Sequence, residues 1–265
     1  MNEQSAVTEQ VLQRRDENSI AWLTLHRPAA RNALSIALME ALVAELDAIE
    51  AAPAVKVVVI GGAGPAFCAG HDLRELRSRP EHSAYQATFA LCSRLMTRIV
   101  RLPKPVIARV HGVATAAGCQ LVASCDLAVA TATARFATPG VNIGLFCSTP
   151  MVALSRAVGR KAAMEMLLTG ELIDAARAHE LGLVNRVVPD SELDAAVTAL
   201  ATQIATKSPL TLAIGKVAFY RQAEMGLDDA YSYVSEVMTR NMLAHDAAEG
   251  IDAFLGRREP VWTGA

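Results

Sequence analysis

The sequence lacks a strong net charge and any paired-cysteine pattern. Its formal net charge is −2 over 265 residues, so no global field would attract nucleic acid or an anionic membrane surface. The five cysteines are odd in number and form no C-x-x-C pair. We therefore expect no disulfide framework and a reducing compartment, and we predict a cytoplasmic location.

Several motifs are also missing. The polar N-terminal segment MNEQSAVTEQVLQRRDENS carries acids, unlike a signal peptide or an Arg-rich transit peptide. The uncharged run at 111–125 is too short and too interrupted by glycine to span a bilayer. The loop after Gly61 has no G-K-[ST], and Phe67 stands where a dinucleotide fingerprint needs glycine. No His, Asp or Cys spacing fits a metal site, so we expect no metal.

Hydrophobic residues make up 52% of the chain, which is enough for a large buried core. Alternating or continuous apolar runs predict strands at 19–28, 55–62, 104–112 and 126–139. Helical spacing predicts helices at 35–52, 88–103, 116–125, 149–170, 208–224 and 228–246. Ser35 and Ser208 are expected N-caps, with Pro209 at the first helical position. This order predicts an α/β core over 1–205 and a C-terminal helical region over 206–265 of the same functional unit.

Two segments combine a strand end, a loop of small residues and a helix start. The first is GGAGPAFCAGHDL at 61–73, with a helix expected near His71 or Asp72. The second is HGVATAAGCQ at 111–120, with Thr115 as the expected N-cap of a helix starting at Ala116. Each alone is consistent with a tight turn or a buried helix. Together, their free N–H groups can form an oxyanion hole made of backbone amides.

Four blocks of sequence resemble the enoyl-CoA hydratase/isomerase, or crotonase, superfamily. They are LHRPAARNALS, FCAGHDLREL, VHGVATAAGCQLVASCDLAVA and FATPGVNIGL, in the family's order and spacing. ATAAGCQLVASCD with GLFCSTP resembles the enoyl-CoA hydratase domain-containing branch. The resemblance implies a spiral of ββα units with a C-terminal helical region. It also implies an acyl-CoA ligand, no cofactor beyond that coenzyme A, and a homotrimer or dimer of trimers. The broad apolar faces of the C-terminal helices suit trimer packing or a monomer's own core.

The resemblance implies roles for individual residues. The backbone N–H groups of His71 and Ala117 would hold the thioester carbonyl oxygen. Arg74, and Arg257 from a neighbouring subunit, would meet the phosphates of coenzyme A. The alternative for both is a solvated surface charge, and for Arg257 the two interpretations are equally weighted. The remaining implied contacts to coenzyme A are Ala29, Arg31, Ala33, Ala69, Gly70, Asp72 and Leu73.

Both acid/base carboxylates of the family are replaced. Gln120 stands at one position and Gly140 at the other. Gln120 could orient a water or a substrate, or only satisfy buried backbone groups. Another branch uses an Asp where this chain has Ser148. The resemblance implies a lyase that hydrates 2-trans-enoyl-CoA in fatty acid metabolism, but each missing group is typically worth ~10²–10⁴-fold in rate. We therefore expect poor hydration, and an isomerase, a thioester hydrolase or a non-catalytic acyl-CoA-binding protein as alternatives.

Overall fold

The computed structural model describes residues 10–265. The prediction about the polar N-terminal segment falls partly on residues 1–9, which lie outside the described residues. No helix within 10–265 is long and apolar enough to cross a membrane.

The strands form two sheets. One has six strands in the order β1-β2-β3-β5-β7-β10, parallel except for the β1–β2 pair. The other has four strands in the order β4-β6-β8-β9, with β9 antiparallel. The strands are β1 Leu12–Glu17, β2 Ile20–Leu25, β3 Val57–Gly62, β4 Ala66–Cys68, β5 Val106–Val110, β6 Val113–Thr115, β7 Leu127–Thr131, β8 Arg135–Ala137, β9 Ile173–Asp174 and β10 Arg186–Val188.

Eleven helices in the described chain connect and cover these sheets. They are α1 Ile36–Glu50, α2 Leu73–Ser78, α3 His82–Arg101, α4 Ala117–Ser124, α5 Ser148–Ala157, α6 Arg160–Thr169, α7 Ala175–Glu180, α8 Leu193–Ala205, α9 Pro209–Gln222, α10 Leu227–Met242 and α11 His245–Leu255. The predicted caps are confirmed, since Ser35 Oγ accepts from the Leu38 amide and Ser208 Oγ from the Thr211 amide.

The chain forms a spiral of ββα units, as the resemblance implies. Three successive turns each give one strand to the large sheet and the next to the small sheet: β3 with β4, β5 with β6, and β7 with β8. Strand β3 is buried along its whole length, as expected for an apolar run in a parallel sheet covered on both faces. The helix α8 covers the outer face of the large sheet, where Val197 packs in a second apolar cluster with Ile107 and Val129.

Three predicted segments are each divided into two elements in the structure, and one strand was not predicted. The segment 126–139 is two strands in different sheets, because the chain turns at 132–134. The segment 149–170 is two helices, with Gly159 as the N-cap of the second. The predicted helix at 228–246 ends at Met242, and α11 follows as a separate helix. Strand β1 was missed because it lies at a sheet edge, where mainly polar side chains are exposed to solvent.

Candidate active site

The two loop–helix corners lie against each other at the end of the small sheet. The parallel pairing of β4 with β6 brings Cys68 beside Ala114. Gly70 has φ +101°, and a Cβ there would lie 2.8 Å from the Ala116 Cβ and 3.4 Å from the Ala117 nitrogen. A Cβ on Gly118 would lie 2.1 Å from the Cys68 carbonyl oxygen. Only glycine allows this close backbone approach, so both positions hold the corners together.

The amides of His71 and Ala117 are among the donors without a backbone acceptor at this contact. Among the hydrogen bonds of residues 10–265, neither amide donates to an acceptor. Their neighbours are paired: Asp72 N–H donates to the Leu34 carbonyl, and Ala116 N–H to the Ala137 carbonyl. Ala117 begins α4, where the first amides of a helix have no partner inside the helix. The geometry is suited to holding a carbonyl oxygen that gains negative charge.

Thr115 is not the N-cap that the sequence predicts. The cap position belongs to Ala116, with φ 50° and ψ −119° and no side-chain capping bond. The Thr115 hydroxyl donates instead to the Ala69 carbonyl, with 3.1 Å between oxygens. Thr115 therefore joins the second corner to the first.

A loop at 27–34 braces the first corner. The Arg27 guanidinium forms an ion pair with Asp72 at 2.9 Å, and Asp72 also caps α2 by accepting from the Arg74 amide. Asn32 is completely buried with φ 54°, and its side-chain amide donates to the carbonyls of Ala63 and Ala66, at 2.8 Å each. Sequence reasoning did not single out Arg27 or Asn32, although both lie in the LHRPAARNALS block.

The loop at 27–34 brings most of the residues predicted to contact coenzyme A close together. The Ala69 amide donates to the Arg31 carbonyl, and the Leu34 amide to the Gly70 carbonyl, so the segments 29–33 and 69–74 run side by side. Arg31 and Arg74 are exposed and form no ion pair within residues 10–265. Ala29 and Leu73 are exposed next to them, whereas Ala33 is buried.

Arg257 lies far along the chain from these residues. It is exposed after α11, and its amide donates to the Phe254 carbonyl. No hydrogen bond or ion pair in the described chain joins it to either corner. Its predicted role in the site of a neighbouring subunit therefore stays a prediction.

Gln120 lies one helical turn beyond Ala117 and is only 4% exposed. Its side-chain oxygen faces the Cys92 thiol at 3.8 Å, a weak sulfur hydrogen bond from α3. No hydrogen bond to its side-chain nitrogen occurs within residues 10–265. The side chain has no acidic proton to transfer at ordinary pH.

Gly140 is buried, and a side chain there has no room. A Cβ would lie 2.6 Å from the Leu145 carbonyl oxygen and 2.9 Å from the Cys147 sulfur. The Leu145 amide donates to the Gly140 carbonyl at 2.9 Å, which closes the 140–147 loop on itself. Ser148 is exposed at the start of α5, and its hydroxyl bonds weakly to the Phe146 carbonyl at 3.4 Å.

The imidazole of His71 is an unexpected feature of the site. Both ring nitrogens are buried and have no hydrogen-bond partner among the described residues. The ring meets Phe89 edge to face, with 5.5 Å between centroids. Burial lowers the pKa of His71, so the imidazole is neutral at physiological pH.

The thiols around the site do not replace the missing acids. Burial raises the pKa of Cys119 and of Cys92 to about 12, and it also raises the pKa of Cys147. Thiols of this kind stay protonated at neutral pH and are poor nucleophiles. Within residues 10–265 no group of three or more His, Cys, Asp or Glu side chains is arranged to hold a metal ion.

The fold is a two-sheet spiral in which two loop–helix corners, carrying the His71 and Ala117 amides, lie against each other. The sequence matches the family model described as enoyl-CoA hydratase/isomerase over residues 15–265. The chain belongs to this family.

Individual relatives support the same placement. Enoyl-CoA hydratase domain-containing protein 3, mitochondrial, of Rattus norvegicus is 46% identical over 249 residues, covering 94% of this chain and 83% of the relative. The 2,3-dehydroadipyl-CoA hydratase of Escherichia coli (strain K12) is 37% identical over 250 residues, covering 94% and 96%.

Solved structures match along nearly the whole chain. An enoyl-CoA hydratase of Mycobacterium smegmatis is 52% identical with a TM-score of 0.94, covering 96% of this chain and 99% of that one. Human enoyl coenzyme A hydratase domain-containing protein 3 is 46% identical with a TM-score of 0.92, covering 96% and 100%. The predicted crotonase fold is confirmed, as is the resemblance to the domain-containing branch.

Proposed function

We propose that this protein binds acyl-CoA thioesters and polarises their carbonyl group, while hydrating 2-trans-enoyl-CoA poorly or not at all. The observation that carries the proposal is the pair of unpaired amides at His71 and Ala117, on corners that touch through Gly70. A thioester oxygen placed between them would accept two hydrogen bonds, and such donors are typically worth ~10²–10³ in rate when the oxygen becomes an enolate.

The surroundings of this pair support acyl-CoA as the ligand. Arg31 and Arg74 are exposed guanidinium groups on the two segments that meet at the first corner. Guanidinium groups suit the phosphates of coenzyme A. The Gln120 side-chain nitrogen supplies a further donor beside Ala117. We propose no cofactor other than the coenzyme A of the ligand itself.

The weak hydration follows from the two replaced carboxylates. Hydration needs one group that activates water and another that protonates the α-carbon. Gln120 can do neither, and residue 140 has no side chain. Ser148 bonds only weakly to a nearby carbonyl oxygen and has no base beside it in the described hydrogen bonds.

The test is calorimetric titration with butyryl-CoA, beside steady-state hydration of short and medium trans-2-enoyl-CoA. We expect saturable binding and turnover well below the usual enzyme range of ~1–10³ s⁻¹. Turnover within that range would contradict the claim of poor hydration. Absence of binding would contradict the proposal as a whole.

We also propose that the chain forms a homo-oligomer, a trimer or a dimer of trimers. Helices α9 to α11 leave large apolar side chains outside the core of the single chain, with Phe219 62% exposed, Leu243 83% and Phe254 81%. Large apolar side chains exposed to this extent are typical of a subunit interface. Light scattering after size exclusion should give three or six times the chain mass of 28.1 kDa, and a monomer would contradict the proposal.

The compartment is a separate proposal. Five cysteines, all unpaired in the structure, suit a reducing compartment such as the cytoplasm. The printed name of the rat relative places that protein in mitochondria. Fractionation of cells that express the tagged full chain decides between these locations.

A further inference from the structure

We propose that Thr115 is a positioning residue, whose hydroxyl bond to the Ala69 carbonyl sets the separation of the two carbonyl-binding amides. The inference rests on the proposed function, because it concerns the same pair of donors. It adds a residue that touches neither ligand nor reacting atom and acts through the backbone.

The position of the bond supports this role. Thr115 lies two residues before Ala117, and Ala69 lies two residues before His71. The ladder between β4 and β6 pairs Cys68 with Ala114 and reaches no further. The Thr115 side chain thus extends the connection by one residue beyond the point where backbone pairing stops.

The backbone of Ala116 supplies an independent observation. It has φ 50° and ψ −119°, a conformation that residues other than glycine rarely adopt. Strain of this kind persists only where the surrounding structure enforces it, and it is found preferentially at functional sites. Here the Ala116 amide is held by the Ala137 carbonyl, and its methyl group packs against Gly70.

The strained residue Ala116 lies between Thr115, which bonds to the Ala69 carbonyl, and the Ala117 amide. Thr115 precedes Ala116, and the peptide after Ala116 carries the Ala117 N–H. If the Thr115 hydroxyl bond is lost, the Thr115–Ala116 peptide is still held by the bond from the Ala116 amide to the Ala137 carbonyl, but it loses its link to the first corner. One contact that opposes relaxation of Ala116 is then gone. That relaxation would rotate the following peptide and turn the Ala117 hydrogen away from the shared carbonyl position.

The test compares two ligands that differ only at the carbonyl. Butyryl-CoA has the thioester carbonyl group, whereas S-butyl-CoA has a methylene group in place of that carbonyl. The ratio of their dissociation constants reports the contribution of the two amides, independent of all contacts to the rest of coenzyme A. Calorimetry on the full chain gives this ratio for the wild type, Thr115→Val, Thr115→Ser and Thr239→Val.

We expect Thr115→Val to reduce the preference for the thioester by about tenfold, the value of one well-aligned hydrogen bond. The affinity for the thioether should stay unchanged. Thr115→Ser keeps the hydroxyl and should keep the wild-type ratio. Thr239→Val is the matched control, because it also loses a hydroxyl bond to a carbonyl, 2.9 Å to Ser235 in α10.

The inference is overturned if the ratio of the two dissociation constants is unchanged in Thr115→Val. This holds whether both affinities stay the same or both weaken equally, and equal weakening would indicate a merely structural role. If Thr115→Val does not fold, Thr115→Ala replaces it with the same criteria. If the wild type binds both ligands equally, the two amides contribute nothing to affinity, and this inference is refuted. If the wild type binds neither ligand, the proposed function itself is refuted.

Discussion

Gly140 is a position where the surrounding structure leaves no room for a side chain, and this leads to a quantitative prediction. An added Cβ would lie 2.6 Å from the Leu145 carbonyl oxygen, whereas ordinary van der Waals contact begins at 3.4 Å. The atom that it meets is backbone and is fixed by the bond from the Leu145 amide to the Gly140 carbonyl. The neighbouring Cys147 sulfur, at 2.9 Å, blocks a second direction.

We therefore expect Gly140→Ala to destabilise the protein. Overpacking a tight site typically costs ~1–3 kcal/mol, and a backbone obstacle places this change in the upper half, at about 2–3 kcal/mol. For a chain of this size that corresponds to roughly 4–12 °C in melting temperature. Urea unfolding and thermal unfolding measure the two quantities.

Gly215→Ala is the matched control for the same chemical change. Gly215 lies inside α9 with no atom within 4 Å of an added Cβ. Replacing glycine in a helix interior by alanine typically stabilises by ~0.5–1 kcal/mol. The two substitutions should therefore have opposite signs. If Gly140→Ala stays within about 0.5 kcal/mol of the wild type, the steric reasoning is wrong.

The same contact predicts the result of restoring the acids. The double variant Gln120→Glu with Gly140→Glu has the side chains of an ordinary hydratase at both positions. We expect it to remain far below ~1 s⁻¹ in hydration of trans-2-butenoyl-CoA, because the 140–147 loop occupies the space of the second carboxylate. Hydration in the usual enzyme range would show that the loop can open at little cost.

Three further predictions concern residues outside this loop. Ala116→Gly relieves the positive φ and should raise the free energy of unfolding in urea by about 1 kcal/mol; a loss of stability would contradict the assigned strain. Lys216→Met leaves Asp126, now 2.7 Å from the ammonium group, partly buried without its cation, and should cost about 3–5 kcal/mol; a loss below about 1 kcal/mol would contradict a structural pair. Because burial lowers the pKa of His71, the unfolded chain binds more protons, and stability falls as the pH drops below about 6.5. His71→Phe should flatten that slope in unfolding experiments between about pH 5 and 7, and an unchanged slope would refute the assignment.

Local sequence determined much of this protein. Apolar runs and caps located β3, α1 and α9, since these depend on neighbours in the chain. The block FCAGHDLREL predicts a helix start near His71 or Asp72, and α2 begins at Leu73, with the Asp72 carboxylate accepting from the first amides of the helix. The residue types at 120 and 140 are visible in the sequence itself, and so is the loss of two acids relative to the family.

Tertiary structure decided the rest, because the deciding contacts join segments that are distant in sequence. Threonine is a residue type that often caps helices, and this is what the local sequence predicts for Thr115. Its hydroxyl instead donates to the carbonyl of Ala69, 46 residues earlier, once β4 and β6 pair. The apolar run at 126–139 predicts one strand. In the structure the chain turns within this run, so that β7 lies in the large sheet and β8 in the small sheet. The lack of space at Gly140 depends on how the 140–147 loop closes, which no local pattern of residues specifies.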